Sequence, residues 1–315
     1  MDASVIICTR NRAASLARTL ASIEAADRPA GCVWELVVVD NGSTDETGSV
    51  LAGFSGRLPL VAVSEPNPGI SHARNRGVAT AAGRYFIGTD DDVVVERGWL
   101  AAYLDAFRHW PEAVLFGGKV VPTLEEPVTP WFAACLAELA LLVAERDFGA
   151  DPLPLASEGD RVPFGANFAI RAAEQVRFPF DPALGRAPER NVLGEETEVF
   201  HAVLAAGHSG YYVPGAVVRH MIPPHRQRGS YVRSYYGAHG DQSGLADPND
   251  YRRVVAGAPL WLWRQLATET AAVAWGRLFA SPHVWVPHLK RLGYMEGYGE
   301  GLRRRGRRAR GLTTA

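Results

Sequence analysis

Short apolar runs alternate with helical repeats over the first ninety residues. "SVIIC" (4–8), "WELVVVD" (34–40), "LPLVAVSE" (58–65) and "RYFIGTD" (84–90) are apolar runs of strand length. Between the first two, Leu16, Leu20 and Ile23 recur at helical spacing, and "GISHARNRGVATAAG" (69–83) reads as a second helix capped by Ser71 and stopped at Gly83. Continuous apolar strands alternating with helices predict βαβ units. The fold class is then α/β: a Rossmann-like, mostly parallel central sheet flanked by helices. Ligands bind such sheets at the carboxyl ends of the strands. Thr9-Arg10-Asn11, Asp40-Asn41 and Asp90 to Asp92 all fall at those ends.

Further along, residues 98–110 read as a helix, 113–122 as a strand broken at Gly117-Gly118, and 130–145 as one amphipathic helix. A loop-rich stretch then gives way to a strand in "GANFAIRAA" (165–173). A helix over 195–207 ends at Gly207, and "GYYVPGAVVRH" (210–220) is strand-like. From about 230 the character changes, and four of the eight tryptophans (Trp261, Trp263, Trp275, Trp285) crowd into 261–285. The expected division is an α/β domain over 1–225, a helical extension over 226–302 and a basic, mobile tail over 303–315.

Charge refines this picture. The 33 basic and 34 acidic residues nearly cancel, which excludes a nucleic-acid-like basicity. Six of the basic residues sit in "RRRGRRAR" (303–310), so the rest of the chain carries 27 against 34, a net of −7. Cys8, Cys32 and Cys135 form no CxxC pair, which suits a reducing cytosol. No secretory leader and no apolar run long enough to span a membrane are read, so a cytoplasmic location is expected.

The candidate chemistry lies in polar clusters. At a strand end Asp90 and Asp92 send alternate side chains to one side, where two carboxylates suit a hard divalent cation that also binds a diphosphate; a solvated turn is the alternative. Asp40 could accept from a base N–H or a ribose hydroxyl, or simply close an Asx turn. His72, Arg74, Asn75 and Arg76 gather at a helix start, which favours phosphate. Glu195, Glu196 and Glu198 occupy a first helical turn, where the helix dipole keeps a carboxylate ionised, as a general base requires. His220 ends a strand; as a neutral imidazole ligand it would tilt the choice from Mg²⁺ toward Mn²⁺.

In this order the motifs "SVIICTRNR", "ELVVVDNGSTDET", "NPGISHARNRG", "GRYFIGTDDDV", "GANFAIRAA", "GEETE" and "YYVPGAVVRH" resemble bacterial family 2 glycosyltransferases of the GT-A fold, over residues 4–220. The resemblance implies that Thr9, Arg10, Asn11 and Asp40 line the nucleotide base pocket and that Arg74 lies near the base or diphosphate. It implies a DxD-type element, with Asp90 near the ribose, Asp91 sharing that role or standing apart, and Asp92 ligating the metal, with His220 as the added ligand. The family's base is the second residue of a Glu-Asp pair. Here the pair is Glu195-Glu196, which points to Glu196 and keeps Glu195 as a rival. Asn167 would sit beside the acceptor.

The implied activity is a metal-dependent (Mn²⁺ or Mg²⁺), inverting hexosyl or deoxyhexosyl transfer from a nucleotide-diphosphate sugar, UDP or dTDP first. The acceptor would be a hydroxyl or amine of a glycan, a lipid-linked saccharide or a secondary metabolite. The alternatives are a non-catalytic nucleotide-sugar-binding module, which the Glu pair argues against, and a sugar nucleotidyltransferase, which would want a glycine-rich loop where "CTRNRAAS" has none. The Trp-rich helices and arginine tail suggest peripheral contact with the inner face of the plasma membrane, or else a homodimer contact.

Overall fold

The computed structural model describes residues 1–187, 190–191, 193–249, 251 and 253–309. Two compact units emerge. The first comprises Met1–Thr123 and Ala144–Met221; the second comprises Leu124–Val143 and the chain from Ile222 onward.

In the first unit, β1 (Ala3–Thr9), α1 (Ala13–Ala25), β2 (Trp34–Asp40), α2 (Thr47–Phe54), β3 (Leu60–Ser64), α3 (Ile70–Thr80) and β4 (Tyr85–Asp90) follow one another as successive βαβ units. The strand order is β3-β2-β1-β4, with every neighbouring pair parallel. The apolar runs are continuous because both faces are covered. Val5, Ile7, Leu36 and Val38 enter the core that includes Leu16 and Leu20 of α1, while Ile6, Val37 and Val39 enter the one that includes Ala73 of α3. The sheet continues through β5 (Val93–Val95), β6 (Leu115–Leu124), β7 (Leu153–Pro154), β8 (Asn167–Arg171) and β11 (Gly210–Ile222). Here β8 is antiparallel to both β4 and β6, and β11 is antiparallel to β5 and β7. The helices α4 (Trp99–His109), α6 (Ala172–Arg177) and α7 (Glu195–Ala205) cover it, and β9 (Arg186–Ala187) pairs with β10 (Arg190–Asn191).

Three local expectations change. Helix α3 starts on Gly69, not Ser71, whose hydroxyl donates to Leu184 O at 2.9 Å, and it stops at Thr80, before Gly83. Strand β6 runs unbroken through Gly117-Gly118. A Cβ on Gly118 would lie 2.1 Å from Asn167 Nδ2, so glycine permits a close approach instead of ending the strand. Residues 130–145 form a short α5 (Pro130–Ala134) and a 3₁₀ turn (Ala137–Leu139), because packing of Phe132, Cys135 and Leu139 in the second unit's core overrides helical propensity.

In the second unit, α8 (Gly229–Ala246), the ribbon β12 (Val254–Val255) and β13 (Ala258–Pro259), α9 (Leu260–Phe279) and α10 (Pro282–Ala309) surround Val232, Trp285, Val286 and Leu289. Helices α8 and α10 meet backbone to backbone. A Cβ on Gly240 would lie 1.9 Å from Tyr294 O, and one on Gly297 1.8 Å from Gly237 O. Residues 303–309, expected in a mobile tail, continue α10. Arg303 and Arg304 pair with Glu300 and Asp241, and Arg305 donates to Asn249 O at 2.7 Å. Residues 310–315 lie outside the described residues.

Candidate functional site

Parallel register brings the polar clusters together. Thr9 is level with Asp40, and Cys8 with Asp90, so the loops after β1, β2 and β4 converge on one edge of the first unit's sheet. Asn11 takes a left-handed conformation (φ 52°), which asparagine tolerates. It accepts from Thr44 N–H at 2.7 Å and donates its own N–H to Ser43 Oγ at 2.9 Å, tying the first loop to the second. Asp40 accepts from Ser43 N–H at 2.9 Å, so the Asx-type turn is real, and its carboxylate stays partly exposed. Asn41 is a structural tie: it donates to Glu65 O and Asn67 O and accepts from Gly69 N–H. Arg10 projects into solvent at the rim.

The aspartate triplet divides three ways. Asp91 is buried beneath the loop, accepting from Thr9 Oγ1 at 2.7 Å and from Arg12 Nη1 at 2.8 Å. Burial pushes its carboxyl up to about 6 even though Arg12 pulls it down. It is therefore an internal anchor that ties the loop after β4 to Thr9 and Arg12. Asp92 gives Oδ2 to the same Arg12 nitrogen at 2.9 Å, while its Oδ1 faces His220 Nε2 at 3.6 Å. His220 reaches it because β11 runs antiparallel to β5, opposing His220 to Val93, and Met221 N–H donates to Asp92 O at 2.9 Å. Asp90 lies between this group and the next. Its carboxyl is raised by burial first and by the charge of Asp92 next, against the pull of Arg74 and His220.

Arg12 is the functional residue that sequence reasoning missed. Three adjacent aspartates, two of them buried, need a cation, and "TRNR" offers two arginines at the right strand end; the inner one supplies it. The guanidinium is held firmly charged: burial opposes, and Asp91 and Asp92 outweigh it.

The second group surrounds Arg74, which is buried. Its Nη1 donates to Glu195 Oε1 at 2.5 Å and to Glu196 Oε2 at 3.3 Å, and its Nη2 lies 3.8 Å from Asp90 Oδ1. One cation thus serves three carboxylates. The two glutamates differ in setting, with side chains 8% exposed for Glu195 and 19% for Glu196. Burial and the neighbouring Glu196 charge push Glu195 up to about 7. Burial also acts on Glu196, but the charge of Arg74 and hydrogen bonds from backbone, Glu195 and Arg74 outweigh it, and its carboxyl titrates below the ordinary range. A small pocket beside this group is lined by Ile6, Cys8, Arg74, Phe168 and Phe180. Burial raises the Cys8 thiol to about 12, so it is no nucleophile.

Asn167, expected beside the acceptor, is fully buried instead. Its Oδ1 accepts from Trp99 Nε1 and Tyr103 Oη, both at 2.8 Å, and its Nδ2 donates to Lys119 O and Ala216 O at 2.9 and 2.7 Å. With both donors and both lone pairs in use, it cross-links the sheet and α4 and has nothing to offer an acceptor.

For a divalent cation, the donor set on offer is the Asp92 carboxylate and the His220 imidazole, both buried and facing each other at a separation two ligands of one ion can share. Asp90, Asp92 and His220 do not close into a three-ligand cage. Among the described residues, the three-ligand cluster is Cys135, Glu138 and His283 in the second unit. Two protein ligands fit an ion that completes its shell with water and diphosphate oxygens, and the nitrogen donor favours Mn²⁺ over Mg²⁺.

Residues 4–133 match the model of glycosyl transferase family 2. A glucosyl-dolichyl phosphate glucuronosyltransferase of Haloferax volcanii is 28% identical over 205 residues, covering 63% of this chain and 62% of that protein. The chain thus spans under two thirds of that relative's length. Among solved structures, S. aureus TarS 1-349 in complex with UDP superposes with a TM-score of 0.55 at 16% identity, covering 98% of this chain and 92% of that one. The mannosyltransferase PcManGT from Pyrobaculum calidifontis, in complex with GDP-Man and Mn²⁺, gives 0.54 at 19% identity, covering 95% and 85%. These structures share the fold: a mixed α/β architecture of the GT-A type.

Proposed function

Starting from a chain that belongs to glycosyltransferase family 2 through residues 4–133, we propose that it is a metal-dependent, inverting glycosyltransferase. It moves a hexosyl or deoxyhexosyl group from a nucleotide-diphosphate sugar, UDP or dTDP first, to a hydroxyl or amine. The acceptor is a glycan, a lipid-linked saccharide or a secondary metabolite. The UDP and GDP-Man complexes of the structural neighbours and the dolichyl-phosphate relative support the donor and acceptor classes. The reaction is placed in the cytoplasm.

Thr9, Asn11 and Asp40 form the base pocket, with Arg10 at the rim, and Asp90 takes the ribose. Asp92 and His220 would hold Mn²⁺ or Mg²⁺, which when bound neutralises charge on the departing diphosphate. Glu196 removes the acceptor proton. The acceptor then attacks the anomeric carbon from the face opposite the nucleotide, and one displacement inverts that centre. Arg74 keeps Glu196 ionised, and Arg12 would share the Asp92 carboxylate with the ion. The observation that carries this reading is the gathering of Glu196, ionised and turned partly outward, with Asp90, Asp92 and His220 at the carboxyl edge of one sheet.

A thermal-shift screen of nucleotides and nucleotide sugars, with and without Mn²⁺, tests it. Stabilisation by one diphosphonucleotide that depends on metal is expected. Equal indifference to all nucleotides would overturn it. Two narrower results follow. Arg12→Gln removes the cation that shares Asp92, so the melting temperature without metal falls and the increment on adding Mn²⁺ grows; an unchanged increment counts against Arg12 as a competitor of the ion. With Glu195 at about 7, its deprotonation as pH rises adds a negative charge beside Glu196 and makes it a stronger base. kcat/KM therefore climbs between roughly pH 6 and 8, and that step disappears in Glu195→Gln.

A further inference from the structure

Helix α9 is inverted relative to an ordinary surface helix. Its single acidic residue, Glu269, is buried, held by Gln265 Nε2 at 2.8 Å, His288 Nδ1 at 2.6 Å and Arg291 Nε at 3.2 Å. Its outward face is apolar. At about 100° per residue, Leu260, Trp261, Trp275, Leu278 and Phe279 fall within about 100° of one another. They are 41, 43, 58, 75 and 71% exposed. Leu262, Leu266, Val273 and Glu269 point the other way, into the second unit. Arg264, Thr268 and Ala271 complete the outward stripe. Past the corner, Val284 of α10 is exposed as well.

Charge on and around this face has one sign. Arg264 lies within the stripe, and from Thr270 to Leu292 the sequence holds no aspartate or glutamate; Arg277 stacks over Trp285, Lys290 over Tyr236, and Arg291 pairs with Glu269 on the inner side. Glu138, the acid packed against this segment, is paired with His283 at 2.6 Å, and Lys290 donates to its backbone oxygen. Tryptophan, leucine and phenylalanine exposed together, with an arginine among them and no acid from 270 to 292, are the residues that membrane interfaces enrich. No described helix is long and apolar enough to cross a membrane, so such contact is lateral. A second copy of this chain is the alternative occupant, and the dimer outcome of the experiment below separates it from lipid.

We propose that the outward face of α9 is a lipid-docking surface for anionic bilayer headgroups. Its most exposed end, Trp275 to Phe279, lies at the start of α10. Arg303–Arg305 lie about 30–35 Å along that helix and are tied to Glu300, Asp241 and Asn249 O. Within the Trp-rich helices and arginine tail that the sequence singles out, the contact is thus assigned to the aromatic end of α9. It does not depend on the reaction assigned above.

Flotation of the full chain with extruded vesicles tests this, using phosphatidylcholine alone and phosphatidylcholine mixed with phosphatidylglycerol. The wild type floats with the anionic vesicles and its tryptophan emission is quenched by brominated lipid. Trp275→Ser/Leu278→Ser/Phe279→Ser lowers the bound fraction about tenfold or more, and Arg264→Glu weakens it at low salt. A wild type that stays unbound to both vesicle types, and is unquenched, overturns the proposal. So does a triple variant that floats like the wild type, or a wild-type dimer that the triple variant dissociates while neither protein binds lipid.

Discussion

Glu196→Gln lowers kcat by about 10²–10⁴-fold while nucleotide-sugar affinity changes by less than about threefold. The substitution keeps size and hydrogen bonding and removes only the proton-accepting charge. Arg74 already lies 3.3 Å from Glu196 Oε2, so the carboxylate is ionised at neutral pH without help from substrate. The glutamate beside it behaves differently. Glu195 is more deeply buried, sits 2.5 Å from Arg74 and titrates near 7, so Glu195→Gln changes the pH profile and leaves most of the activity at its optimum. Steady-state kinetics beside nucleotide-sugar titration separates the two. Loss in Glu195→Gln with retention in Glu196→Gln would exchange their roles.

Arg74→Met destabilises the first unit by about 3–5 kcal/mol, because it strips the cation from Glu195, Glu196 and Asp90 at once. For a domain of this size that is a fall of about 6–20 °C in melting temperature. Urea unfolding measures it. Arg74→Lys recovers little, since one ammonium cannot reproduce a guanidinium that reaches three carboxylates and stacks 5.4 Å over Phe180. Adding Glu195→Gln to Arg74→Met should restore part of the loss, as the pair shares one buried charge balance. A cost under about 1 kcal/mol for Arg74→Met would show that the carboxylates take up protons or water in its place.

The parallel half of the sheet was readable because β1, β2 and β4 are buried on both faces, which makes their runs largely apolar and their ends conspicuous. The convergence of Thr9, Asp40 and Asp90 follows from that register. What could not be read depends on partners far along the chain. His220 meets Asp92 because β11 pairs antiparallel with β5; the strand could be read from its residues, its pairing partner could not. The resemblance implied Asn167 beside the acceptor, yet its partners come from α4, β6 and β11 and none has a local signature. Arg10 and Arg12 are equivalent in composition; only the fold turns one outward and the other onto Asp91 and Asp92. Arg74 carries the charge of a phosphate ligand and spends it on three carboxylates. The glycines of α8 and α10 gave no hydrophobic period to follow, because there the backbones themselves make the contact.

Release of nucleoside diphosphate from a panel of nucleotide sugars tests the central claim most directly, comparing wild type and Asp92→Asn in Mn²⁺ and in EDTA. The account predicts release from donors of one base, dependent on metal, and lost in Asp92→Asn. Release undiminished by EDTA and by Asp92→Asn, or formation of nucleoside triphosphate from nucleotide sugar and pyrophosphate, would contradict it.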